Sequence, residues 1–267
     1  MARVVPFTKN REVVYDLLTR AKRFHCPVSS TWELEVEALE QARRKTLVND
    51  RPVGITACLI KATGLVLERY PKFNQHLFHG LFRKYLVEFD TIRCNLILMR
   101  RGANRERLLF PLIVEDANSR SIEEIQGIID HNRTAPLEEL PQVQSLQKIK
   151  RMPRLLLSWF SYRVRSDHRF YEKYFGTYGV SSLATRAARS ARGAHGVANT
   201  GAAFFLGPVQ KRPVVKGDAV VAREVLPLLL VVDHFVLDGL DVVDGVAYLR
   251  RLLAEPERLG LKGEAGA

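Results

Sequence analysis

Leu226-Pro227-Leu228-Leu229-Leu230-Val231-Val232-Asp233-His234-Phe235-Val236-Leu237-Asp238-Gly239 is the stretch from which the fold and the candidate chemistry are read. Its first half is a continuous apolar run of the length expected of a buried core strand. The run ends in Asp233-His234, and after Asp238-Gly239 a helical pattern begins. A strand end that feeds a turn is a place where a side chain can face a cleft. Gly239 permits a tight backbone there. An imidazole in that position can take up a proton near neutral pH. A lone His beside an Asp is more often a structural hydrogen-bonding pair than a catalytic one, so the segment gains meaning only from the rest of the chain.

Downstream, Asp241 to Leu253 is an amphipathic helix, with Val242, Val243, Val246, Leu249, Leu252 and Leu253 inward, and Pro256 ends it. Upstream, Ala203 to Val209 is a second core strand, and Lys216-Gly217-Asp218 between the two strands is a hairpin signal. Nearer the N-terminus the pattern predicts a helix over 11–24 and a strand from Val28 to Val36. Helices follow over Glu35 to Val48 and Ile55 to Tyr70, the second ended by Pro71. Asn74 is expected to cap a helix carrying His76 and His79. Strands are expected from Ile92 to Met99 and from Leu108 to Val114, with a turn over Asn104 to Arg107. Ser121 and Glu124 stand in capping-box spacing at the start of a helix over Ser121 to Ile129. Residues 131–178, broken by Pro136, Pro141 and Pro153, have no readable period. The order of elements is mixed α/β without strict βαβ alternation. One domain over 1–259 is expected, with a loose tail over 260–267.

Composition narrows the function classes. The net charge is +12, which invites a nucleic-acid reading. The basic residues are dispersed, however, and no zinc finger, RRM-type motif or basic zipper is present. A phosphorylated cofactor or a solvated face accounts for the charge better. Cys26, Cys58 and Cys94 are widely spaced among apolar residues and read as buried reduced thiols in a cytoplasmic protein. The N-terminus lacks the apolar core of a signal peptide. The run Leu155-Leu156-Leu157-Ser158-Trp159-Phe160-Ser161-Tyr162, flanked by Arg151, Arg154, Arg163 and Arg165, allows a membrane-surface contact. A core or subunit-interface segment is the blander reading of it.

Taken together, several stretches resemble the 2-oxoacid dehydrogenase acyltransferase catalytic domain and the related chloramphenicol acetyltransferase family. They are Lys211-Arg212-Pro213-Val214-Val215 through Leu226-Pro227-Leu228 to His234-Phe235-Val236-Leu237-Asp238-Gly239, and the closing Ala254-Glu255-Pro256-Glu257-Arg258-Leu259. Phe110-Pro111-Leu112-Ile113-Val114 with Ser121-Ile122-Glu123-Glu124-Ile125, and Tyr70-Pro71-Lys72-Phe73-Asn74, are similar to further elements of that family. The resemblance covers roughly 1–130 and 175–259, and only the combination is specific. It implies a two-layer sandwich in which helices pack on a mixed β-sheet.

What the resemblance implies for function is direct acyl transfer between coenzyme A and a thiol or hydroxyl, with His234 as general base. The oxyanion donor would be Ser181, with Ser182 as the alternative, reaching the site from the neighbouring subunit of a homotrimer. Asp238 would pair with Arg11 to hold the active-site loop, beside Gly239. The acceptor would be a small molecule or a lipoyl-type thiol. No metal and no covalently bound lipoyl group are expected in this chain. Phe235 departs from the family, which often has Arg there. A catalytically idle trimeric scaffold or binding module of the same fold is the rival reading. Outside the motif, His76 and His79, read as neighbours on one helix face, fit a surface or interface pair better than a metal site. Gly193-Ala194-His195-Gly196 reads as a loop beside the site.

Overall fold

The strand that ends in Asp233 organises the structure. The computed structural model describes residues 15, 19, 23–102, 107–182 and 200–261. Strand β11 (Ala219–Asp233) is 15 residues long and pairs antiparallel with three others: β1 (Pro27–Glu35), β9 (Ala202–Leu206) and β10 (Gln210–Lys216). Strands β8 (Tyr178–Ser182) and β6 (Cys94–Arg101) continue the sheet in parallel with β9, and β7 (Arg107–Val114) closes it antiparallel to β6. The resulting seven-stranded mixed sheet runs β1-β11-β9-β8-β6-β7, with β10 joined to β11. The hairpin between β10 and β11 turns at Gly217, whose φ of 59° falls where a side chain is strained.

Helices cover one face of this sheet, as expected of a two-layer sandwich. Alternate residues of each strand point to that face: Leu34, Leu96, Leu98, Phe110, Leu112, Val180, Phe204, Leu226, Leu228, Leu230 and Val232 all belong to one buried core. Against them pack α1 (Glu37–Lys45), α2 (Ile55–Arg69), α3 (Ile122–Thr134) and α7 (Gly239–Ala254). Helix α2 is the most deeply buried, with Thr56 to Ile60 and Ala62 to Gly64 all inside. Helix α3 begins with the expected capping box: Ser121 Oγ accepts from Glu124 N at 3.1 Å, and Ser121 N donates to Glu124 Oε2 at 2.8 Å. Helix α7 presents Val242, Val246, Leu249, Leu252 and Leu253 inward, whereas Val243 is exposed.

Two expectations for residues 74–79 are corrected. Residues 75–79 form strand β4 (Gln75–His79), paired with β5 (Lys84–Glu88), and not a helix. Asn74 is no helix cap: its Nδ2 donates to the carbonyls of Phe89 and Thr91 at 2.8 and 2.9 Å, tying the two ends of that hairpin. The unreadable stretch is three helices, α4 (Pro141–Arg151), α5 (Arg154–Ser166) and α6 (His168–Phe175). The last two pack with β4 around a second, smaller core of Phe78, Phe89, Phe160, Val164 and Tyr171. The short pair β2 (Leu47–Val48) and β3 (Arg51–Pro52) completes the chain. Cys58 and Cys94 are buried and Cys26 is half-buried. Leu261, in the expected tail, is buried in the main core. Most of the expected helix over 11–24, with Arg11, and the loop carrying His195 lie outside the described residues.

Candidate active site

His234 follows the last residue of β11 directly and opens a tight turn. Its backbone N donates to Cys26 O at 2.8 Å, which fixes the turn against the start of β1. Its Nδ1 lies 3.0 Å from Leu237 O. A carbonyl only accepts, so this bond places the ring proton on Nδ1 and leaves the Nε2 lone pair as the base. The side chain is about half exposed, at 51%. The imidazole is thus held by its Nδ1, on a side chain that is about half open to solvent.

Asp238, four residues on, stands at the start of α7. Its N donates to Asp241 Oδ2 at 2.9 Å, and its own Oδ1 is 3.7 Å from His234 Nδ1. Its side chain is 78% exposed, and its expected partner Arg11 falls outside the described residues. Gly239 is the first residue of α7, with open space where a side chain would stand.

The residue that sequence reading passed over is Asp233. Its carboxylate is buried beneath the turn and accepts three hydrogen bonds. Oδ1 receives Cys26 N at 3.0 Å and Phe235 N at 3.1 Å, and Oδ2 receives His25 Nδ1 at 2.7 Å. Burial alone would raise its pKa. The His25 bond, with the two amides, overturns this and holds the carboxyl below its usual value. Cys26 is therefore gripped from both sides, its N–H by Asp233 and its C=O by the His234 amide. A close backbone approach supports the same corner. Gly201 O accepts from Asp233 N at 2.9 Å, and a Cβ on Gly201 would stand 1.9 Å from Gln75 O.

His25 in turn lies against other rings. Its centroid is 4.9 Å from that of His76, which stacks on Tyr171 at 4.5 Å. His76 is fully enclosed, and burial, reinforced by neighbouring His25, pushes its pKa down to about 3. It is a neutral ring in a column, not one of a surface pair. His79 Nε2 donates to Phe24 O at 3.0 Å. Among the described residues no group of three His, Cys, Asp or Glu side chains is arranged to hold a metal ion.

Ser181 and Ser182 point to opposite faces of β8. Tyr178 and Val180 enter the helix-covered core, and Ser182 follows them, accepting from Thr56 Oγ1 of α2 at 3.2 Å. Ser181 faces the other side of the sheet, where Ile97, Met99 and Leu109 stand exposed on β6 and β7. Strand register sets its distance from His234. Ser181 lies opposite Phe205, and Phe205 opposite Leu229, five residues before the histidine. At ~3.3 Å per residue and ~4.8 Å per strand, the two are roughly 19 Å apart within one chain. The chain by itself does not bring its two predicted site residues together.

Residues 198–261, the span holding this turn, match the sequence model of the 2-oxoacid dehydrogenases acyltransferase (catalytic domain). The chain resembles the 2-oxoacid dehydrogenase acyltransferases. It is 23% identical over 260 residues to the dihydrolipoyllysine-residue acetyltransferase component of the pyruvate dehydrogenase complex of Acholeplasma laidlawii, with 96% of this chain aligned. It spans only 41% of that relative's length. The fold is that of the solved acyltransferase cores. A probable dihydrolipoamide acetyltransferase from Listeria monocytogenes superposes with a TM-score of 0.67 at 17% identity, covering 100% of this chain and 98% of that one. The dihydrolipoamide acetyltransferase of Azotobacter vinelandii gives 0.67 at 17% identity, covering 98% and 95%. That structure was determined to investigate the role of a serine, a histidine and an asparagine in its catalytic mechanism.

Proposed function

We propose that the chain is an acyltransferase that moves an acyl group between coenzyme A and a thiol or hydroxyl acceptor, with His234 as general base. The observation that carries this reading is the hydrogen bond from His234 Nδ1 to Leu237 O, which leaves the Nε2 lone pair of a half-exposed ring to accept a proton at the end of the core strand. In the forward step Nε2 takes the acceptor's proton as its sulfur or oxygen attacks the thioester carbonyl. The carbonyl π electrons move onto oxygen, and Ser181 Oγ donates a hydrogen bond to that oxyanion. Collapse re-forms the carbonyl and breaks the carbon–sulfur bond to coenzyme A. The proton on Nε2 then goes to the departing thiolate. A dihydrolipoyl-type thiol, the group named for the Acholeplasma relative, is the acceptor this reading favours.

The roughly 19 Å between Ser181 and His234 argues for a site completed by a second copy. The sheet face that carries Ser181 also exposes Ile97, Met99 and Leu109, which a partner subunit would cover. A homotrimer, a closed ring of identical heterologous contacts, places the Ser181 of one subunit against the His234 of the next. Asp238 then fixes the turn and the start of α7, with Arg11 as its partner, and does not transfer protons.

The test is to incubate the protein with a panel of acyl-coenzyme A thioesters and dihydrolipoamide and to follow free coenzyme A thiol. Turnover that disappears in His234→Ala supports the reading. An inactive wild type that still forms trimers would favour an idle scaffold instead, in keeping with the exposed Phe235 where the family often has Arg.

A further inference from the structure

Between Glu139 and Asp167 the chain has no acidic residue and six basic ones: Lys148, Lys150, Arg151, Arg154, Arg163 and Arg165. This stretch builds α4 and α5. One face of α5 is inward, with Phe160 and Val164, one turn apart, in the small core beside Phe78 and Tyr171. Its other face, toward the N-terminal end, is apolar as well. Leu155 is 86% exposed, Leu156 53% and Trp159 54%. Trp159 stands one turn from both leucines, so the three form one patch. Of the run expected as a core or subunit-interface segment, Phe160 and Ser161 are buried, whereas Leu155, Leu156 and Trp159 are exposed.

The surroundings of the patch are cationic. Lys148 and Arg151 are exposed on α4 before it, and Arg169 is exposed on α6. The Arg163 guanidinium lies 5.5 Å from the Trp159 ring centre. The acids of α6 and its cap are already engaged. Asp167 binds Arg163 at 2.5 Å and caps α6 through Arg169 N and Phe170 N, and Glu172 pairs with Arg93 at 3.6 Å. The β4–β5 hairpin repeats the chemistry. Its tip exposes Leu81 and Phe82 beside Arg83 and Lys84, and Tyr85 Oη ties it to Ser166 O at the end of α5 with a bond of 2.6 Å.

We infer that this face docks on an anionic lipid surface, with Leu155, Leu156 and Trp159 entering the headgroup boundary and the flanking cations meeting lipid phosphates. Exposed leucines with a tryptophan, rimmed by arginine and lysine, are what an interfacial helix needs. Helix α5 has 13 residues, about 20 Å, too short to cross a bilayer of about 30 Å. Among the described residues no helix is long and apolar enough to do so, so α5 lies on the surface. A second copy that pairs this face on itself is the poorer occupant. It carries the same +12 charge, and two such patches would bring cations together without acids between them. A heterologous contact is what the oligomer mass of the leucine variant below tests. Docking is independent of the acyl-transfer reading, because none of these residues belongs to the His234 turn.

The experiment uses the full chain and sedimentation with two kinds of vesicle, phosphatidylcholine alone and phosphatidylcholine with about one third phosphatidylglycerol, at low and high salt. Binding to the anionic vesicles, weakened by salt and accompanied by a blue shift of tryptophan emission, is the expected result. The shift should vanish in Trp159→Phe, which leaves only Trp32. Leu155→Gln with Leu156→Gln should weaken binding by about tenfold or more. Lys148→Glu with Arg151→Glu should weaken it comparably, and both variants should keep wild-type circular dichroism and oligomer mass. Equal binding to both vesicle types, or to neither, overturns the inference. So does loss of the oligomer in the leucine variant, which would make a second copy the occupant. Binding to duplex DNA but not to vesicles would assign the cations to nucleic acid and overturn it too.

Discussion

Residues 226–239 and residues 141–175 are both rich in apolar side chains, yet they are built in opposite ways. In the first, neighbours in sequence are neighbours in function. An apolar run makes a strand, its end makes a turn, and the turn holds His234 by a bond to Leu237, three residues away. In the second, apolar residues divide between a small inner core and an exposed face. No single period describes such a stretch, because the residues that α5 buries are chosen by β4 and α6. The two regions nonetheless meet. Tyr171 of the second stacks on His76, His76 lies against His25, and His25 holds Asp233 of the first. The segment proposed to carry the chemistry is local, and its support comes from across the chain.

His234→Ala should have the largest effect on activity, a loss of about 10³- to 10⁴-fold in turnover. Its half-exposed ring makes few core contacts, so the melting temperature should hardly move. Steady-state kinetics and calorimetry on the same sample check both. A large drop in stability would mean that the turn and the core are not separable as described.

Tyr171→Ala should do the reverse and then cross over. Removing a fully buried aromatic costs about 3–5 kcal/mol, measurable by urea unfolding. Because the ring supports the His76–His25–Asp233 column, turnover should also fall at temperatures where the variant is fully folded. Unchanged turnover in the folded variant would cut the link between the two regions.

Ser181→Ala should lower turnover by about 10²-fold with little change in substrate KM, since an oxyanion donor acts on the transition state. Ser182→Ala should matter far less, because Ser182 faces α2 and Thr56. The opposite ranking would show that the strand face was assigned to the wrong residue.

The smallest predicted effect is in pH dependence. His76 has its pKa lowered to about 3 in the folded chain. Below its ordinary value the unfolded chain takes up a proton that the folded chain does not, so stability falls as pH drops from about 6.5 toward about 3. Between pH 7 and pH 5 this amounts to about 2 kcal/mol. The depressed Asp233 carboxyl acts in the same direction, but only from about pH 4 downward. His76→Phe, which keeps a ring against Tyr171, should flatten the slope between pH 7 and 5 in thermal melts. An equally steep slope in the variant would assign the dependence to other groups.

The legible part of the chain is the part whose signals are local. The end of β11, the Gly217 hairpin, the Ser121 capping box, the apolar helix α2 and all the inward residues read for α7 except Val243 could be read from spacing. His76 and His79 could not, because His-Leu-Phe-His alternates as well in a strand as it turns in a helix, and the deciding partner is β5. Asp233 was in view beside His234, but its role depends on His25, separated from it by most of the chain. A signal for it did exist. A carboxylate at the end of an otherwise unbroken apolar strand must find partners or stay neutral.

The central claim is that His234 acts from one subunit and Ser181 from another. Co-expression of the His234→Ala and Ser181→Ala chains, with mixed trimers confirmed by mass, tests it most directly. If the site straddles an interface, equal random mixing joins an intact His234 to an intact Ser181 at roughly a quarter of the sites of a closed ring, and about a quarter of wild-type activity returns. Mixed trimers as inactive as either parent would contradict the account.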